Sequence, residues 1–221
     1  MSTADERTAQ LLRALARDFS HELRGPVQSI VVNLEVLRRR AQHADAQGVL
    51  ERANVIEDEL QRLHRLADAF VSLIREAEAE PHVFTVETVL VALDPLMAMR
   101  ARSRHLQLTR PVADPALLVR VAPEPLQRTL LRLFVGVCDG LGPGDAVHLA
   151  AALEHNGVAF LLTASAAKAV RMTPIHEALT DAAAWLDALR GTVRLEPGSD
   201  TRVAIALRLP STVLTATSSG E

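Results

Sequence analysis

Residues 19–30 read Phe19-Ser20-His21-Glu22-Leu23-Arg24-Gly25-Pro26-Val27-Gln28-Ser29-Ile30. The apolar members of this stretch belong to a longer series: Leu12, Leu15, Phe19, Leu23, Val27, Ile30, Leu34 and Leu37 step by three or four. That spacing is one face of an α-helix. Residues 38–48 are polar, contain Asp45 and Gly48, and predict a turn. The periodicity resumes at Leu50 and runs through Ile56, Leu60, Leu63, Leu66, Phe70, Leu73 and Ile74. Two helices of roughly 30 residues, each about 45 Å long, therefore form a hairpin. Two such helices cannot bury their apolar faces fully against each other. The expectation is a homodimer closed as a four-helix bundle; the alternative is that the leftover stripe packs on the C-terminal half of the chain.

Composition narrows the rest. The chain has 221 residues and a net charge of −3, so no basic field is available to hold a nucleic-acid backbone. Five Phe, one Trp and no Tyr give little material for base stacking. A single cysteine, Cys138, excludes an internal disulfide and any Cys-rich metal site. Lys168 is the only lysine, which removes most candidate phosphate-cradling or Schiff-base lysines. The N-terminus is acidic and polar, unlike a signal peptide, and no run of 18 apolar residues occurs. These features predict a cytoplasmic protein that neither inserts in a membrane nor binds nucleic acid.

Beyond an acidic stretch ending in Pro81, the pattern changes to short strand-like and helix-like pieces. Residues 83–85, 106–109 and 117–121 read as strands. Residues 86–101 read as a helix interrupted near Pro95. Pro123 and Pro125 open a helix to about Cys138. Segments 146–154 and 158–165 flank Asn156-Gly157, a two-residue hairpin signal. Residues 174–190 form a helix with Gly191 as its C-cap, and 193–195 and 202–209 make a last hairpin. The predicted organisation is α+β: a helical hairpin over residues 1–80, an α/β sandwich over 81–210, and a polar tail over 211–221 expected to be disordered.

The stretch His21-Glu22-Leu23-Arg24-Gly25-Pro26-Val27 resembles the H-box of sensor histidine kinases, roughly H-E-L-R-x-P-L, with Val27 in place of the usual Leu. It also lies where that family places it, in the first helix of a long hairpin. The resemblance implies that His21 accepts a phosphoryl group and must be exposed. Glu22 is then expected to hold one ring nitrogen in the tautomer that leaves the other nucleophilic. Arg17 and Arg24, at i−4 and i+3, share the face of His21 and could pair with phosphoryl oxygens. Gly25, Gln28 and Val32, at i+4, i+7 and i+11, are candidates for a partner's docking face. Pro26 should bend the helix one turn beyond His21. A zinc-protease reading fails, because an HExxH motif would need histidine where Gly25 stands.

The layout of the second half is similar to the family's ATP-binding sandwich, but its nucleotide-binding residues are missing. The two family Asn positions fall on Arg132 and Gly136, the adenine-reading Asp on Ala164, and the following glycines on Ala166 and Lys168. Asn156 is the only Asn in this half, so no shift of alignment supplies an N-x-x-x-N pair. Magnesium nucleotide needs oxygen ligands and close backbone approach. The expectation is a degenerate sandwich that holds no cofactor of its own.

The resemblance then points to kinase-like histidine phosphotransferases, which relay phosphoryl groups between receiver-domain aspartates in two-component signalling. The partners implied are response-regulator receiver domains, which bring Mg²⁺, and an upstream hybrid histidine kinase. Two alternatives stand beside this. One is a non-catalytic scaffold that binds a regulator or kinase; the other is a divergent ATP-using sensor kinase. A response-regulator phosphatase fits less well, because such proteins usually place Thr or Asn at the position of Gly25.

Overall fold

The structure is a computed structural model, and it describes residues 3–43, 45–74, 81–112, 117–154 and 157–210. The 211–221 tail and the His155-Asn156 turn lie outside the described residues.

The hairpin is longer than its apolar pattern. Helix α1 spans Thr3–Gln42 and α2 spans Ala46–Ile74. The expected turn over 38–48 shrinks to the residues around His43 and Asp45. Basic residues at Arg39 and Arg40 suit the negative end of the α1 dipole, so a polar sequence stays helical there. Asp45 caps α2: its carboxylate accepts from the Gly48 backbone N–H at 2.9 Å. Pro26 lies inside α1 without ending it. Near the other end of the hairpin, Phe19 and Phe70 stack with ring centroids 4.4 Å apart.

The rest of the chain runs β1 (His82–Thr85), α3 (Val86–Ser103), β2 (Gln107–Val112), β3 (Leu118–Val121), α4 (Pro123–Gly140), β4 (Ala146–Glu154), β5 (Gly157–Ser165), α5 (Met172–Leu189), β6 (Thr192–Ser199) and β7 (Arg202–Pro210). Strands β1 and β3 pair antiparallel as a separate two-stranded ribbon. The main sheet has the order β2-β4-β5-β7-β6, with β2–β4 parallel and the remaining pairs antiparallel. Helices α3, α4 and α5 cover one face, and the core between them holds Phe134, Phe160, Leu131, Leu133, Met97 and Ile205. This is the α+β architecture expected: a long helical hairpin followed by an α/β sandwich.

Two local expectations are corrected. Helix α3 is not interrupted at Pro95 but runs through it. A proline removes one hydrogen bond to the residue four back, here Val91, which is exposed. Helix α5 ends with Arg190, not Gly191, in the left-handed region, at φ 51°. Gly191 is needed for another reason: a Cβ there would lie 2.8 Å from the Leu186 side chain and 3.0 Å from the Arg208 carbonyl. Its N–H donates to the Leu186 carbonyl at 3.0 Å.

Candidate functional site

His21 is exposed on α1 and has no hydrogen-bond or ion-pair partner among the described residues. Gly25, Gln28 and Val32 are exposed as well. At 100° per residue these four positions fall within roughly 60° of arc, a single strip along the helix. Arg17 and Arg24 are exposed on the strip's solvent flank. A side chain at Gly25 would meet nothing within 4 Å, so the surface beside His21 is open there.

The other flank of the strip is gripped by the sandwich. Asp18 and Glu22, one turn apart, both reach α3. Arg100 donates from Nη1 to Asp18 Oδ2 at 2.5 Å, and its Nη2 pairs with Asp139 at the end of α4. Asp139 also pairs with Arg104, and its carbonyl accepts from Arg171 at 2.6 Å. Asp18, Arg100, Asp139 and Arg104 thus form a charge-balanced row from the hairpin to the sandwich. Arg100 is only 5 % exposed, which is tolerable because both of its terminal nitrogens meet carboxylates.

Glu22 makes contacts that the sequence did not indicate. Its carboxylate accepts from Arg102 of α3 at 2.6 Å and pairs with Arg62 of α2. Glu22 therefore joins three helices. Arg62, Arg100, Arg102 and Asp139 were not among the residues expected from sequence. The one available signal was Arg100 itself, a charge set in the apolar run Leu96-Met97-Ala98-Met99.

Gly136, Arg132 and Ala164 are the positions that the resemblance links to nucleotide binding. Helices α4 and α5 pack directly. A Cβ on Gly136 would lie 2.4 Å from the Ala178 Cβ and 2.8 Å from the Pro174 carbonyl oxygen. Arg132 donates from Nε to Asp181 Oδ2 at 2.7 Å, with both side chains mostly buried. Ala164 is buried in the core. These residues do not fit magnesium nucleotide: they offer a cation, a methyl and a hydrogen where the ligand needs oxygen donors. Among the described residues no group of three or more His, Cys, Asp or Glu could hold a metal ion, and no helix is long and apolar enough to cross a membrane.

Burial pushes the Cys138 thiol well above its usual range, with the Arg100 charge pulling the other way. This cysteine is an inert core residue.

Residues 11–77 match the His Kinase A (phospho-acceptor) domain model. The fold is similar to the Acinetobacter baumannii histidine kinase AdeS, with 14 % identity over 87 % of this chain and 98 % of that one, at a TM-score of 0.51. It is also similar to full-length ShkA in complex with AMPPNP, with 16 % identity over 77 % of this chain and 40 % of that one, at 0.52. A nucleotide-free catalytic domain of histidine kinase ThkA matches with 11 % identity over 60 % of this chain and 98 % of that one, at 0.50. No curated protein matches in sequence. The hairpin thus matches a phospho-acceptor domain model over residues 11–77, and hairpin and sandwich together share the fold of solved histidine-kinase structures.

Proposed function

We propose that the chain is a phosphorelay histidine phosphotransferase and not an ATP-dependent kinase. His21 takes a phosphoryl group from a receiver phospho-aspartate and hands it to the aspartate of another receiver. In the first half, an imidazole nitrogen of His21 bonds to phosphorus as the P–O bond to the donor aspartate breaks. The donor recovers its carboxylate and the imidazole loses a proton to solvent. In the second half the acceptor carboxylate bonds to phosphorus, the P–N bond breaks, and the imidazole regains a proton. The receiver supplies Mg²⁺, so the chain itself needs no metal.

The observation that carries this reading is a contrast. The H-box histidine stands exposed on an open strip, while Gly136, where the resemblance would put a metal-binding Asn, packs against Ala178. An exposed imidazole is what an incoming partner needs to reach. Arg17 and Arg24 would sit at the edge of an acidic receiver pocket, where Arg–phosphoryl pairing favours the transferred group. Positioning and charge neutralisation supply most of the catalysis in such a transfer. Gly25, Gln28 and Val32 would form the docking strip. Two copies would associate through the exposed apolar residues of the hairpin, among them Val27, Val31, Leu34, Leu60 and Val71.

The test is transfer from labelled phospho-receiver to the protein, with His21→Ala as control. Acid-labile label on the wild type and none on the variant is the expected result. No label across cognate receivers would overturn the transfer reading and leave a scaffold that only binds regulators. Labelling of the protein alone by ATP would establish a kinase instead.

A further inference from the structure

Helices cover one face of the five-stranded sheet, and the other face is open. On the open face two cross-strand rows lie side by side. Thr109, His148, Thr163 and Ala204 are successive register partners across β2, β4, β5 and β7. The adjacent row is Ala146, Ser165 and Arg202. The two-residue period of a strand turns the neighbours Val147, Ala164 and Val203 into the core, where they are buried. A register irregularity between Glu196 and Ser199 brings residues 197–199 alongside. Together these residues enclose a concavity of about 510 Å³. Its floor is low because Ala146 and Ala204 carry only methyl groups, where an open sheet face normally carries longer polar side chains.

The chemistry of the walls is specific. Arg202 is exposed, and its guanidinium has no ion-pair partner among the described residues. Glu196 pairs in register with Ala204, but Arg208 binds it at 3.0 Å. The hydroxyls of Thr163 and Ser165 stand beside Arg202. His148 adds an imidazole to the lining.

We propose that this concavity binds a small oxyanion ligand, a carboxylate or a phosphate ester. The ligand oxygens would pair with the Arg202 fork and accept from the Thr163 and Ser165 hydroxyls. The site lies on the face of the sheet opposite α4 and α5, so it is independent of the phosphotransfer reading and of any nucleotide position.

The test is calorimetric titration of the full chain with inorganic phosphate and, separately, with malonate. Saturable binding of either at millimolar concentration is expected. Binding of phosphate alone assigns a phosphoryl ligand, and binding of malonate alone a carboxylate. Arg202→Ala should weaken the bound probe by about tenfold or more, as removal of a charge-assisted hydrogen bond does. Ala204→Leu should abolish binding by filling the floor, and Arg194→Ala should leave it unchanged. Unchanged circular dichroism and thermal midpoints keep a loss of binding distinct from a loss of fold. Absence of saturable binding by both probes, or equal binding by Arg202→Ala and the wild type, would overturn the proposal.

Discussion

Arg100 of α3 and Asp18 of α1 meet at 2.5 Å, although 82 residues separate them, and they do so one helical turn before His21. The sandwich is thereby fastened to the hairpin beside His21. Glu22 repeats the fastening one turn later through Arg102. Both contacts lie on one flank of the His21 strip, so the strip itself stays open to a partner while the helix that carries it is braced.

That bracing has a measurable cost when it is broken. Arg100→Met leaves Asp18 largely buried without its cation. Removing one partner of a buried ion pair destabilises by about 3–5 kcal/mol. The urea midpoint should fall accordingly. Adding Asp18→Asn to Arg100→Met should restore part of the loss; a purely additive double variant would refute the coupling.

Glu22 and Arg102 should couple weakly, because the arginine is half exposed. A double-mutant cycle with Glu22→Gln and Arg102→Gln is expected to give about 0.2–1 kcal/mol. The coupling should shrink as salt is raised, since exposed pairs are screened. Coupling that salt does not change would place the pair in a drier setting than its geometry indicates.

Restoring the family's metal-binding asparagine should fail. In Gly136→Asn the new side chain meets Ala178 and Pro174, and overpacking costs about 1–3 kcal/mol. A lower thermal midpoint is expected, together with no uptake of a fluorescent ATP analogue. Tight nucleotide binding by this variant would contradict the packed α4–α5 arrangement.

The exposed apolar stripe on the hairpin predicts self-association. Val31→Glu places a charge on it without touching the core, since Val31 is 56 % exposed. Wild-type protein should sediment as a dimer and the variant as a monomer, each with the same helix content. A wild type that remains monomeric at high concentration would rule out the bundle.

Cys138 should ignore thiol reagents until the protein unfolds. Burial raises its folded pKa above that of the unfolded thiol. Above about pH 8.5 the unfolded chain releases a proton that the folded chain keeps. Fewer protons on the unfolded state means that stability falls as pH rises through that range. Cys138→Ala should flatten this alkaline decline in urea midpoints, and a decline of equal slope in the variant would assign it to another group.

Much of this molecule was legible from residue spacing. A strict three-and-four step from Leu12 to Leu37 could only be a helix, and the hairpin followed. The strands at 146–154 and 158–165 were legible from their alternation, but the register from Ala146↔Ser165 to Glu154↔Gly157 puts Gly157 in the second strand and not in the turn expected at Asn156-Gly157. The ends of elements were less legible. Arg39 and Arg40 look like loop residues until the charge at the end of a helix is considered, and Pro95 looks like a break until its carbonyl partner is found on the exposed side. Within the candidate site, the His21 strip with Arg17, Arg24, Gly25, Gln28 and Val32 is a local matter of helix geometry, so one helix of sequence suffices to draw it.

The amino-acid sequence by itself determined the hairpin, the alternating sandwich, the motif around His21 and the missing asparagines, because each depends on periodicity or on residue identity. Only the tertiary structure decided what Glu22 and Gly136 do. Glu22 binds Arg62 and Arg102, which lie 40 and 80 residues away, and Gly136 is the hollow into which Ala178 packs. A carboxylate takes the nearest cations that folding brings to it. Nothing in local spacing records which cations those are, or which helix closes over a vacant position.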